Sequence, residues 1–335
     1  MPLRAGELFI LGFRGASVPA WLADFEREFG LGGVVLFDRD LASGGTTRNI
    51  EAPEQLRSLC AAVHRLPSRP LIFVDQEGGL VRRLRPERGF EDLPSAADIA
   101  CLEEEKARAV VTASFVEMKN LGIDFNLAPV IDLNVNPLNP NIGRVHRSFS
   151  ADPGEVRRCA GIFSDAARLA GLGLCLKHYP GLGGAVTDSH LQETDLSETI
   201  SDEQLSLFRE LSGVIPGRAI LLSHGFVRDW DPLWPVSVSA PAVDTLRRAV
   251  PDALFITDDL QMGGLRQLGS TPDMSVRALR VGVDMVCIGN NLVIEEDACA
   301  EAAAAVRALA DDDVVARETL REAQERVAIR KAQCR

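Results

Sequence analysis

The sequence predicts a single α/β domain of the TIM-type (β/α)8 barrel class. Three observations carry that expectation. Eight short apolar runs alternate with longer stretches of helical period, the runs are apolar almost throughout, and polar side chains gather where the runs end. Alternating strands and helices imply a parallel sheet, eight strands are the number that closes a barrel, and continuous apolarity suits strands buried on both faces. The strands are expected at Leu8–Phe13, Gly33–Phe37, Leu71–Asp75, Ile123–Pro129, Leu172–His178, Ala219–His224, Ala253–Asp258 and Val283–Ile288. Helical periodicity is clearest over Ala52–Arg65, Leu102–Leu121, Pro153–Leu172 and Ser201–Ser212, with Asp152 and Asp202 placed for N-terminal turns or caps. The stretch Glu295–Arg335, Ala-rich with alternating charge, is expected to supply the eighth helix and a C-terminal helical extension over about residues 310–335. No repeat, linker or composition break divides the chain, so residues 1–335 are expected to form one domain.

Composition narrows the function. With 46% hydrophobic and 25% charged residues, the chain has the makeup of a soluble globular protein with a core of good size. A net charge of −12 argues against nucleic acid or an anionic membrane as the main partner, since both favour basic surfaces. The seven cysteines (60, 101, 159, 175, 287, 299 and 334) are scattered and show no C-x-x-C spacing, so they read as reduced thiols. The apolar run Leu8–Phe13 is too short for a signal sequence, and no run reaches membrane-spanning length. A cytoplasmic protein, monomeric or weakly dimeric, is expected.

A barrel places its chemistry at the C-terminal ends of the strands. The expected third strand ends in Asp75, the fifth in Lys177-His178, the sixth in Ser223-His224 and the seventh in Asp258-Asp259, and the eighth runs to Asn290-Asn291. The longest insertions, Phe90–Ala97, Leu133–Ser150 and Tyr179–Thr199, follow strands on that same face. The richest segment is Lys177-His178-Tyr179-Pro180-Gly181-Leu182-Gly183, followed by Asp188-Ser189-His190. Its glycines are expected to leave a pliable loop. Asp188 and His190 stand two apart, so in extended backbone they share a side and the carboxylate can orient the imidazole as a general acid/base. Asp258 is either a helix cap or a carboxylate nucleophile for an anomeric carbon. Asp75 is either part of a turn at Gly78-Gly79 or an acceptor for sugar hydroxyls. His178, His190 and His224 with Asp75 and Asp258 also raise a metal site, although no H-x-H or H-E-x-x-H spacing is present. No phosphate-binding glycine loop occurs, and no cofactor is expected. Trp230 and Trp234 are candidates either for stacking on a sugar ring or for loop packing.

Five motifs together resemble glycoside hydrolase family 3: Val74-Asp75-Gln76-Glu77-Gly78-Gly79, Ala128-Pro129-Val130-Ile131-Asp132, Arg147-Ser148-Phe149-Ser150, Lys177 to Gly183 with Asp188-Ser189-His190, and Thr257-Asp258-Asp259-Leu260 with Met262. Within that family they are most similar to the single-domain bacterial β-N-acetylhexosaminidases of cell-wall recycling. The resemblance implies Asp258 as nucleophile and His190 with Asp188 as the acid/base dyad. It implies Asp75, Arg83, Arg147, Lys177 and His178 as substrate ligands, with Asp132 supporting them from behind. His224, at the end of the expected sixth strand, is a further candidate for the substrate site. The chain departs from the pattern at Leu80, where an arginine is common, at Tyr179, at Thr257, at Val250–Ala253, and in the two extra residues of Ile142–Arg147.

The implied reaction is retaining hydrolysis of a terminal β-linked N-acetylglucosamine, with a small amino-sugar glycoside as substrate. The alternatives are a broader β-glycosidase, a phosphorylase in which the imidazole base tolerates an incoming phosphate, and a catalytically silent sugar-binding protein.

Overall fold

The computed structural model describes residues 3–188 and 191–334. Eight parallel strands close into a barrel in chain order: β1 (Phe9–Gly12), β2 (Gly33–Leu36), β3 (Leu71–Val74), β4 (Phe125–Asn126), β5 (Gly173–Tyr179), β6 (Ala219–Leu222), β7 (Leu254–Asp259) and β8 (Met285–Ile288). The expected fold class is the one observed. Closure is made by β1 against β8, with Phe9 beside Val286 and Leu11 beside Ile288. At that seam Gly12 lies so close to Gly289 that a Cβ would sit 1.9 Å from the Gly289 carbonyl oxygen. Only glycine fits there.

Each strand is followed by a helix: α1 (Ala20–Phe29), α2 (Pro53–His64), α3 (Glu104–Asn120), α4 (Pro153–Ala170), α5 (Asp202–Ser212), α6 (Ala240–Ala249), α7 (Thr271–Arg280) and α8 (Glu296–Asp312). A further helix, α9 (Val314–Gln333), follows. Asp152 caps α4 by accepting the Gly154 N–H. Ser201, one residue before Asp202, caps α5 by accepting from Gln204. Asp202 instead lies in the first turn, where its charge suits the helix dipole.

The fourth strand is shorter than the sequence suggests. Only Phe125–Asn126 pairs on both sides, with a single further bridge from Val130 to Lys177. Pro129 has no N–H to give to the ladder. Beyond β3 the chain folds back as a small antiparallel pair, Gln76–Gly78 against Val81–Arg82, turning at Gly78 and Gly79 with φ of 103° and 56°. Those angles favour glycine. Gln76 fixes this hairpin from within. Its side-chain oxygen accepts from the backbone of Arg83 and Leu84, and its own backbone pairs with the Asn126 side chain.

α9 is tied to the N-terminal end of the barrel. Asp284, fully buried just before β8, accepts from Arg326 of α9 at 2.7 Å and from Arg247 of α6 at 2.6 Å. Lys331 donates to the carbonyls of Leu31 and Ser68, just ahead of β2 and β3. Such bonds fasten the base of the barrel and leave its opposite face free for chemistry. Among the described residues, no helix is long and apolar enough to cross a membrane.

Candidate active site

The C-terminal ends of the strands surround a cavity of about 210 Å³. That is smaller than a drug-sized pocket and suits one sugar ring. Aliphatic side chains of the strands (Ile10, Val35, Leu221 and Ile256) line it together with a set of polar groups. Asp75, Arg83, Arg147, Lys177, His178 and Asp258 all line it, although they come from four different βα units.

Several of these polar groups form a connected network. Lys177 Nζ lies 2.7 Å from Asp75 and 2.5 Å from Glu77. Arg147 grips Glu77 with two donors, at 2.7 and 2.8 Å. Arg83 reaches Asp75 at 3.0 Å from the other side. Burial alone would raise both carboxyls. Arg147 and Lys177 overcome this at Glu77 and hold it at about 2, while Lys177 and Arg83 hold Asp75 well below the usual carboxylate range. The same pairing keeps Lys177 and Arg147 charged against the cost of their burial. The cavity therefore presents a fixed array of ions at neutral pH, ready to bond hydroxyls without reorganising.

His178 is locked from both ends. Arg147 Nη2 lies 3.0 Å from Nε2, and arginine can only donate, so Nε2 accepts. The proton is thus on Nδ1, which donates to Asp132 Oδ2 at 2.8 Å. Asp132 Oδ1 also accepts the backbone N–H groups of His178 and Leu182. Asp132 is fully buried and does not reach the cavity itself.

At the end of β7 the two carboxylates are divided between tasks. Asp259 accepts the backbone N–H groups of Gln261 and Gly289, as a turn-capping aspartate does, and its own N–H donates to Asp258 Oδ1 at 2.9 Å. Asp258 and Asp259 both line the cavity that the cationic network also lines. His224 lies outside the cavity lining. It is buried, with Nε2 donating to the Asp259 carbonyl at 2.9 Å and Nδ1 accepting from Ser237 at 2.7 Å. It braces the backbone that carries the aspartate pair.

Asp188 lies on the β5 loop, partly exposed and outside the lining of the cavity. His190 lies outside the described residues. The glycines ahead of Asp188 pack tightly instead of leaving slack. A Cβ on Gly183 would stand 1.7 Å from the Leu133 carbonyl oxygen, and one on Gly184 would stand 2.4 Å from the Thr199 side chain. Further along, Thr194–Asp195 pairs with Gly225–Phe226, tying this loop to the one after β6. Neither tryptophan enters the cavity. Trp230 stacks on Tyr179 and Trp234 lies beneath the Arg277 guanidinium.

Glu77 is the main site residue that sequence reasoning passed over. A signal was available: it stands two residues beyond Asp75 in extended backbone, so the two carboxylates share a side. Phe37 and Asn141 also line the cavity, from loops with no distinctive pattern, and so does Asn291, to which the expected eighth strand runs. Among the described residues, no group of three or more His, Cys, Asp or Glu side chains is arranged to hold a metal ion.

The description "Glycosyl hydrolase family 3 N terminal domain" matches residues 18–329, nearly the whole barrel. The chain belongs to glycoside hydrolase family 3. It is therefore a glycosidase, as its motifs imply. Relatives in the family include a beta-hexosaminidase of Methylococcus capsulatus, 33% identical over 79% of this chain and 78% of the relative. Another is the beta-hexosaminidase of Pseudomonas aeruginosa, 32% identical over 84% and 82%. The crystal structure of a beta-N-acetylhexosaminidase from Beutenbergia cavernae superposes with a TM-score of 0.85 at 29% identity, over 98% of this chain and 97% of that one. In this family 3 barrel four of the five motifs place side chains in the cavity lining, among them Asp75, Arg147, Lys177 and Asp258, and Asp132 of the remaining motif accepts from His178 behind it.

Proposed function

We propose that this protein removes terminal β-linked N-acetylglucosamine from muropeptide or related amino-sugar glycosides by a retaining, two-step hydrolysis. The observation that carries the reading is a cavity of one-sugar size lined by Asp258 together with Lys177, His178, Arg83, Arg147 and Asp75. These are hydroxyl and amide ligands, and Asp258 is the carboxylate placed to meet the anomeric carbon. The β-hexosaminidase relatives support the amino sugar.

In the first step Asp258 attacks the anomeric carbon while protonated His190 gives its proton to the leaving oxygen. A covalent glycosyl ester forms on Asp258 and the C–O bond to the leaving group breaks. In the second, neutral His190 takes a proton from water, which opens the ester and frees both the sugar and the carboxylate. Asp188 stabilises the charged imidazole. The ions around Asp75 and Glu77 hold the ring so that attack is in line. Residues 1–335 act in this reading as one catalytic domain with a C-terminal helical extension that fastens the barrel base. The scattered free thiols, most of them buried, fit a reducing cytoplasm and a part in peptidoglycan recycling, as a monomer or weak dimer.

The test is release of aryl alcohol from an aryl β-N-acetylglucosaminide and from the matching β-glucoside, with and without phosphate. Turnover of the N-acetyl substrate, abolished in Asp258→Ala, is expected. His190→Ala should slow poor leaving groups by about 10²- to 10⁴-fold and activated aryl groups less. Turnover that survives in Asp258→Ala, or a sugar phosphate as product, would refute the reading.

A further inference from the structure

Between α5 and α6 the outer surface of the barrel carries a groove of about 260 Å³. Leu205 and Arg209 line it from α5, and Thr245 and Ala249 from α6. Each pair is four residues apart, so each lies along one face of its helix. The α6 face is made of short side chains, which leaves the space open. Tyr179, the last residue of β5, and Trp230, on the loop after β6, complete the lining.

Tyr179 carries a group that packing does not explain. Its ring meets Phe208 edge-on at 5.2 Å and stacks on Trp230 at 6.1 Å. A phenylalanine would make both contacts. The residue is only 4% exposed, yet its hydroxyl has no hydrogen-bond partner among the described residues. A buried donor left unpaired costs free energy, which an acceptor on a ligand recovers. Burial raises the pKa of this hydroxyl, and the nearby Arg209 guanidinium pulls it back. The group stays protonated at neutral pH, a donor beside a cation.

Arg209 is similarly available. It is exposed, gives one N–H to Ser206 at 2.7 Å, and pairs with no carboxylate among the described residues. Neighbouring acids are already held. Glu210, next to it on α5, meets Arg157 at 2.7 Å, and Asp244, next to Thr245 on α6, meets Arg248 at 2.9 Å. Among the described residues that line the groove, Arg209 alone is charged. One cation, one hydroxyl donor and an indole in an otherwise apolar lining suit a monoanion with a flat apolar body.

We infer that this groove binds a small carboxylic acid with an aromatic body, its carboxylate held by the Tyr179 hydroxyl and Arg209 and its ring against Trp230, at a site separate from the sugar cavity. The two sites share one strand end. His178 lines the cavity, Tyr179 follows it into the groove, and the Tyr179 carbonyl accepts the Ser223 N–H at 2.9 Å. The inference is independent of the proposed hydrolysis.

The experiment titrates 3-phenylpropionate into the full chain and reads tryptophan fluorescence. Trp21 and Trp234 do not line the groove, so the signal reports Trp230. A saturable change with a Kd of about 1 mM is expected for a ligand of this size. The neutral amide, 3-phenylpropionamide, should bind about tenfold more weakly, the scale of a hydrogen bond to a charged acceptor. Tyr179→Phe, which keeps the ring contacts, should weaken the acid about tenfold. Arg209→Gln should weaken it about fivefold, with Arg209→Lys recovering part. Trp230→Phe should erase the signal. Arg83→Gln, in the sugar cavity, should leave the affinity unchanged. No saturable change in the wild type would overturn the inference, as would equal binding of acid and amide. A signal that survives in Trp230→Phe would do the same. An affinity that falls in Arg83→Gln and holds in Arg209→Gln would assign the acid to the sugar cavity and overturn it as well.

Discussion

Replacing Glu77 with Gln tests whether the ion network, and not the shape of the cavity alone, holds the site together. The change preserves size and removes one charge. Glu77 is 3% exposed and receives two bonds from Arg147 and one from Lys177. In Glu77→Gln the amide oxygen still accepts from Arg147, but Lys177 is left with Asp75 as its one carboxylate partner, Arg147 loses its ion pair, and an NH2 is turned toward one of the two cations. Two routes give the magnitude. Breaking one partner out of a buried pair costs about 3–5 kcal/mol. Holding the carboxyl at about 2 against its ordinary 4.5 contributes about 3 kcal/mol at neutral pH. A loss of about 3 kcal/mol lowers the melting temperature by roughly 4 °C in a domain of this size.

The pH dependence has a definite sign. Folding depresses this carboxyl, so its stabilisation is complete above about pH 4.5 and is lost as pH falls toward 2. The gap between wild type and variant should therefore narrow by about 1.4 kcal/mol at pH 3.5. Thermal unfolding of both proteins at pH 7 and pH 3.5 reads this directly. A melting shift under 2 °C at pH 7, or a gap that stays constant on acidification, would refute the argument. Catalysis should suffer too, with kcat/KM lower by about tenfold as Lys177 and Arg147 lose their shared anchor.

The other substitutions probe separate links. Asp132→Ala leaves the His178 Nδ1–H and two backbone N–H groups without their acceptor, so kcat/KM on an aryl N-acetylglucosaminide should fall about 100-fold as the imidazole loses its orientation. An unchanged value would show that Arg147 alone holds the ring. Asp284→Ala strands two arginines at the barrel base and should cost roughly 3–5 kcal/mol in urea unfolding while kcat stays within twofold. Gly12→Ala drives a methyl group into the Gly289 carbonyl and should abolish soluble expression, whereas Gly161→Ala, in α4 with open space around it, should be neutral or stabilising by about 0.5–1 kcal/mol. Comparable yields of the two alanine variants would show that the β1–β8 seam can yield.

Much of the site was legible because a barrel separates structure from chemistry along each strand. Apolar runs that end in Asp75, Lys177-His178 or Asp258-Asp259 mark both where the strand stops and where the cavity begins. Within the Asp258-Asp259 pair the sequence favours Asp258 as nucleophile because it is nearer the strand. That Asp259 accepts the N–H groups of Gln261 and Gly289 was not legible, since Gly289 follows another strand. His224 ends its strand much as His178 does, yet it braces a carbonyl instead of lining the cavity. The glycines before Asp188 suggested slack, but partners from distant loops, Leu133 and Thr199, make them points of close contact.

The sequence by itself determined the strand and helix alternation, the closed parallel sheet and the face that carries the chemistry, because periodicity and strand-end polarity are local properties. It also carried the family, through five motifs whose spacing is written in the chain. Only the tertiary structure decided which ions neutralise one another. Glu77 meets Arg147 across 70 residues, and Lys177 meets Asp75 across 102. Charge pairing is set by distance in space and by the loss of water around both partners, and neither can be read along a line of residues.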